Sequence, residues 1–368
     1  MTEKSVVLMG CGDMGPMHEP MDAYGVLAKP VLATADIRFA QAERLYSDRG
    51  SLQVHAEIPN ARLKPEMAAV FSDCGFDVVS VAGNHALDWG EDAFLDTIDC
   101  LQQRGIQTVG GGRNLAEARK PVVITRNGVR VAILAYCSIL NEGFAAGPNK
   151  PGIAPLRIHT YYEAIEHQPG IAPRVVTIPY EDDLADMVAD IAAAKKIADC
   201  VVVSQHWGLH FVPKTIAAYQ PTVAKAAFAA GADIIFGHHP HVPKAIGVHG
   251  SKVCFYSLGN FIMSRNERTP AQAAAFVKHH GVTLDPDYPR LAYGTDSKRT
   301  LIAKAVLTPQ GVKSVSFLPA LVDKQLRPEI LRAGDARFDE AVSYMDWASE
   351  DFEHRFTIER DEVMITGK

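Results

Sequence analysis

The stretch GADIIFGHHPHV (231–242) places His238, His239 and His241 directly after an apolar run. Imidazoles this close together can ligate a metal ion, move protons or contact an anion, and the proline between His239 and His241 holds both rings on one side of a stiff segment. Two buried imidazoles without partners would be costly there. Other apolar runs end in similar residues: SVVLMGCG is followed by Asp13, DVVSVAG by Asn84 and His85, DCVVVSQ by His206, and KVCFYSLG by Asn260. Singly, each has a plain structural explanation. Asp13 can be a turn or cap residue, Asn84 and His85 can cap the next helix, and His206 can be a hydrogen-bonded core imidazole beside Trp207. Together they form a mixed set of imidazole, carboxamide and carboxylate donors suited to divalent Mn, Fe or Zn, while the lack of paired thiolates argues against a structural zinc site. Two such ions about 3.5–4 Å apart would activate water at neutral pH and clamp developing negative charge. That chemistry is hydrolytic.

Positioning these residues requires a sheet framework. Apolar, β-branched runs alternate with helix-period segments, the signature of a layered α/β architecture. Strands are expected at 5–10, 77–83, 129–136, 199–205, 233–237, 252–259 and 300–307, and helices at 64–75, 90–105 and 222–232. Asn127-Gly128 between PVVITR and VRVAILAY is a hairpin signal, so part of the sheet is antiparallel. The chemically equipped residues all follow strands, the edge at which loops converge on ligands. Two pattern-poor stretches, about 141–180 and 263–298, are expected to be insertions over the site. Arg265, Arg268, Lys278, His279 and His280 in the second stretch could bind an anionic substrate, or could form a solvated face. The charged segment after about 325 has no functional reading.

The 368 residues, 47% hydrophobic and 22% charged, suit one large globular unit. A net charge of −6 without a Lys/Arg-rich tract excludes nucleic acid as the expected partner. Nowhere do about 18 apolar residues run together, and the N-terminal MTEKSVVLMGCGDMG has no signal-type cleavage pattern, so no membrane anchor and a cytoplasmic location are expected. The six scattered cysteines read as reduced core residues, with a catalytic thiol the weaker alternative.

GNHALDWG (83–90), SQHWGLHF (204–211), GADIIFGHHPHV (231–242) and FYSLGNFI (255–262) together resemble the CapA, or poly-γ-glutamate synthesis (PGA_cap), branch of the calcineurin-like metallophosphoesterases, with GCGDMG (10–15) and ADIRFAQAERLYSDRG (35–50) fitting its earlier motifs more loosely. The resemblance spans roughly residues 5–325. It implies an α/β fold, a four-layer αββα sandwich of two mixed sheets, with residues 1–325 as the catalytic domain and 326–368 as an extension packed on it. It also implies two divalent metal ions, Mn, Fe or Zn. Carried over by position, Asn84, His206 and His239 would hold one ion, Asp13 and His241 the other, and Glu43 would bridge them. His85 would contact substrate or protonate the leaving group, with Asp13 also part of the catalytic set. His238, Asn260 and His210 would support the ligands from behind. Two positions depart from the pattern: Gly15 stands where the wider superfamily carries a histidine, and Gln41 where the branch usually has asparagine. His18 and Glu19 are near enough along the chain to compensate, although a surface turn suits them as well.

The function expected is therefore a metal-dependent hydrolase in which metal-activated water attacks an amide, ester or phosphoester of a small or oligomeric anionic substrate. The alternative is a non-catalytic or assembly role in poly-γ-glutamate or capsule-type polymer synthesis. The substrate-binding residues are unknown at this level, and a homo-oligomer is possible.

Overall fold

The computed structural model describes residues 4–54, 61–168 and 170–367, and in it the apolar runs become the strands of two mixed sheets. The first sheet runs in spatial order through Arg355–Glu359, Glu362–Thr366, Gly311–Val322, Arg299–Thr308, Val6–Gly15, Ile37–Ala42, Val78–Ser80 and Gln107–Val109. Asn260–Met263 lies parallel to the end of Val6–Gly15, and Pro328–Ile330 pairs with Gly311–Val322. The second sheet runs Ile246–His249, Lys252–Phe255, Ile234–His238, Cys200–His206, Val129–Cys137 and Val122–Arg126. Its four middle strands are parallel, and the edge strands are antiparallel to them.

Alternation along the strands builds the layers. Cys200 and Val202 face the first sheet, while Val201 and Val203 face the helices Glu181–Ile197 and Tyr219–Ala230. Phe236 meets Phe39 of the opposite sheet with ring centroids 5.7 Å apart. Helix Gly90–Gln103 packs at Gln107–Val109, and Ala336–Ser349 at Gly311–Val322, so helices flank both sheets in an αββα sandwich. Strands covered on both faces read as continuous apolar runs, which is why they are visible in the sequence.

The structure revises several expected elements. The helix expected over 64–75 is a 3-10 turn, Pro65–Ala68, followed by a short α-helix, Ala69–Asp73. The strand expected over 252–259 ends at Phe255; the chain then crosses to the first sheet and resumes at Asn260. The stretch 263–298 contains a helix, Pro270–His280, started by a Thr269/Gln272 capping box and ended by Gly281 at φ 65°. None of its residues is buried, so it has no apolar face to mark it as a helix in the sequence. Within 141–180 a hairpin, Ile158–Glu163 with Arg174–Pro179, pairs with itself and meets Tyr219 through Thr177 Oγ1, not the strand-end residues. Beyond 325, Glu362–Thr366 pairs with Gly311–Val322 and extends the first sheet. All six cysteines are buried and free. Among the described residues no helix is long and apolar enough to cross a membrane.

Candidate metal centre

The Val6–Gly15 strand is irregular where it carries its carboxylate. Its register shifts between Gly10 and Asp13, so that Asp13 lies opposite Gln41 on one side and Asn260 on the other. The Asp13 N–H donates to the Gly259 carbonyl at 3.0 Å. A Cβ at Gly12 would come within 2.0 Å of that oxygen, so only glycine allows the crossing chain to approach and bring Asn260 beside Asp13. Glu43 follows Ile37–Ala42 directly and its N–H donates to Met14 O at 2.9 Å. Asn84 and His85 follow Val78–Ser80, and His206 and His238 end their strands. His239 and His241 have φ of 93° and 59°, a left-handed backbone that costs roughly 1–3 kcal/mol at a non-glycine residue and is retained mainly at functional sites.

The side chains converge. Asp13, Glu43 and His206 each offer a ligand atom, all within 4.8 Å of one another. His206 Nε2 lies 2.8 Å from Asn84 Oδ1 and 3.9 Å from Glu43 Oε2. His241 Nε2 lies 3.4 Å from Glu43 Oε1, and its Nδ1 is 3.2 Å from Asp13 Oδ2 and 2.8 Å from Asn260 Oδ1. His238 Nδ1 is 3.0 Å from Asp13 Oδ1, and the His239 N–H donates to Asp13 Oδ2 at 3.1 Å. The His239 ring lies 5.0 Å from that of His206 and stacks on His210 at 3.8 Å. At the rim, His85 places Nδ1 2.7 Å from Asp88 Oδ2 and Nε2 4.0 Å from Glu43 Oε1.

Burial and mutual charge set the protonation pattern. Burial alone would raise the Asp13 carboxyl, but hydrogen bonds and charge from His238 and His241 outweigh it and hold the group well below the usual carboxylate range. Burial drives His206 down to about 4 and pushes His210 and His239 well below their ordinary value. For His241 burial acts in the same direction, yet Tyr293, Glu43 and Asp13 overcome it and raise the imidazole. His206 and His239 are thereby kept neutral beside ionised carboxylates, the forms that ligate divalent cations, whereas His241 would give up its proton on binding one.

The residues fit metal ions. His206 Nδ1, His238 Nε2 and His239 Nδ1 are buried without a hydrogen-bond partner among the described residues, a costly arrangement unless something binds there. At metal–ligand bonds of about 2.0–2.2 Å, two ligands of one ion sit roughly 3–4 Å apart, the range of the separations around Glu43 and His206. The ten site residues named from the sequence, Asp13, Glu43, Asn84, His85, His206, His210, His238, His239, His241 and Asn260, gather here. His18 does not: its Nε2 contacts the Arg265 carbonyl at 3.1 Å. Sequence reasoning missed Asp88, although its i+3 spacing from His85 was readable, and Tyr293, which stacks on His241 at 4.1 Å and has no local signal.

A layered αββα protein with a mixed nitrogen and oxygen donor set at its strand ends is the class defined by these features. Residues 16–265 match the family described as bacterial capsule synthesis protein PGA_cap, and the chain belongs to that family. The match begins just past Asp13. The chain is 35% identical over 216 residues to the PGA biosynthesis protein CapA of Bacillus subtilis, covering 58% of this chain and 50% of that protein. It is 31% identical over 237 residues to the capsule biosynthesis protein CapA of Bacillus anthracis, covering 64% and 52%. The chain thus spans about half the length of these relatives. A crystal structure of a calcineurin-like phosphoesterase from Bacillus subtilis overlaps 84% of this chain and 88% of its own at a TM-score of 0.40 and 10% identity, an overlap too loose to add to the architecture read from the sheets themselves.

Proposed function

We propose that this chain is a metal-dependent hydrolase acting on an amide, ester or phosphoester of a small or medium-sized anionic substrate. The observation that carries the reading is the convergence of Asp13, Glu43 and His206, with Asn84, His239 and His241 around them, from strand ends of both sheets. These six residues would hold one or two divalent ions, which when bound supply activation of water and neutralisation of developing negative charge. Asn260 orients His241 through Nδ1, and His238 braces Asp13, the kind of support that fixes ring orientation in metal sites. His85 lines the adjoining cavity with its Nδ1–H donating to Asp88 Oδ2, which leaves Nε2 as the nitrogen that would exchange a proton with a leaving group.

A second reading, a non-catalytic role in polymer synthesis, is favoured by the names of the relatives, one of which, from Mycobacterium tuberculosis, is called a probable polyglutamine synthesis accessory protein. It is also favoured by Gly15, which has no side-chain donor where the resembled superfamily carries a histidine. Metal analysis of the purified protein, followed by assays on p-nitrophenyl phosphate, p-nitrophenyl acetate and a γ-glutamyl anilide with Mn, Fe or Zn added, separates the two. Bound divalent metal with turnover of at least one compound is expected. Metal-free protein, inert towards all three after reconstitution, would sink the hydrolase in favour of the accessory role.

A further inference from the structure

A cavity of about 580 Å³ opens beside the donor residues, with Asn84 and His85 in its lining. Arg44, Arg265 and Arg268 also line it, and no carboxylate does among the described residues. Arg44 is only 6% exposed. Its Nη2 donates to the Ser264 carbonyl at 2.8 Å, while its Nε is buried without a hydrogen-bond partner among the described residues. Gly15 makes room for it: a Cβ there would lie 2.9 Å from Arg44 Cδ and Nε. The position at which the resembled superfamily carries a histidine is thus given over to the stem of a guanidinium group.

Arg265 and Arg268 extend the cationic wall. Arg265 Nε donates to the Asn266 carbonyl at 3.1 Å, Arg268 Nη2 to the Ala292 carbonyl at 2.9 Å, and the Arg268 guanidinium lies 3.9 Å over the Phe276 ring. None of the three forms an ion pair among the described residues. Other partly buried arginines do: Arg38 with Asp77 at 2.9 Å, Arg119 with Asp190 at 2.7 Å and Arg327 with Asp323 at 2.6 Å. Burial pulls the Arg265 and Arg268 guanidinium groups below their ordinary value, Arg268 to about 10, and Arg268 feels Arg265. Arg44 feels the Glu43 carboxylate, whereas no carboxylate among the described residues acts on Arg265 or Arg268; gathering such desolvated like charges is unfavourable, and a bound anion lowers the penalty. Guanidinium forks match the planar or tetrahedral oxygens of such an anion.

We propose that this cavity is the recognition subsite for a compound carrying an oxyanion, carboxylate or phosphate, gripped by Arg44, Arg265 and Arg268, with its apolar part along Phe276 and Tyr293. The anion grip stands on the cavity alone; that the reactive bond is thereby turned towards His85 rests on the hydrolase reading. Titration calorimetry on the full chain tests it, with tricarballylate as the carboxylate probe and phenylphosphonate as the phosphate-like probe, on protein as purified and after chelation. At least one probe should bind in both states. Arg268→Ala and Arg265→Ala should each weaken it at least ten-fold without changing metal content, and Arg44→Lys, which keeps the charge and loses the fork, should weaken it less. The probe with the larger loss names the anion. Absence of binding of either probe, or binding that the Arg265→Ala/Arg268→Ala pair leaves unchanged, overturns the subsite. Arginine-dependent binding in a protein without metal or turnover keeps the subsite and removes the hydrolase; metal-dependent turnover indifferent to the arginines does the reverse.

Discussion

The donor cluster and the arginine wall face one cavity but are built in opposite ways. The donors stand on strand ends of two sheets, and each is held by another: Asp13 by His238 and the His239 N–H, His241 by Asn260, His206 by Asn84. Two of the arginines stand on the stretch that leads into Pro270–His280, a helix with no buried residue, and bond to backbone carbonyls and an aromatic face. The first region is fixed by the core and cannot change without disturbing both sheets. The second is a surface appendage that can vary while the fold persists, which is how rigid scaffolds acquire selectivity. On the proposed readings of the two regions, reaction type and substrate choice would be separable.

The largest effect should come from removing a donor. His206→Ala is expected to lose bound metal and at least about 100-fold in turnover, measured by elemental analysis and steady-state rates, while tricarballylate binding stays within two-fold of wild type on the order of experimental error. If probe affinity collapsed as well, the two regions would be one unit. His85→Ala should keep its metal and lose roughly 10²–10⁴ in kcat; loss of metal in that variant would make His85 a ligand. Asp88→Asn weakens the support of His85, so kcat should fall by about 10–100-fold with KM unchanged, and a change confined to KM would place Asp88 in substrate binding.

The smallest effect on activity should come from Lys244, which lies behind the HPH segment, fully buried, with Nζ donating to the Thr215 carbonyl at 2.7 Å. Burial pulls its ammonium down to about 7. In the unfolded chain it titrates near 10.4, so between these values the unfolded state binds more protons. Stability is penalised fully below pH 7, and the penalty disappears as pH rises towards 10. Lys244→Met should therefore stabilise the protein by up to about 4 kcal/mol near pH 6, with a shrinking gain at pH 9, as read from urea unfolding. A gain independent of pH would mean that the lysine is not held neutral.

Much of the architecture was readable because inner strands covered on both faces must be apolar throughout, so Val129–Cys137, Cys200–His206 and Ile234–His238 announce themselves. Donor residues were readable because polar groups ending such runs need a reason. The helix Pro270–His280 escaped notice because it buries nothing, although Thr269, Gln272 and Gly281 spell its ends. Local sequence thus determined which segments are strands and which polar side chains stand at their ends, since burial and chemistry leave their mark on neighbouring residues. Tertiary structure alone decided that Asn260 crosses to Asp13, that Arg44 fills the space over Gly15 and that Tyr293 covers His241. Those contacts join residues far apart in the chain or on different strands, and no periodicity encodes them; they exist only once the chain has folded.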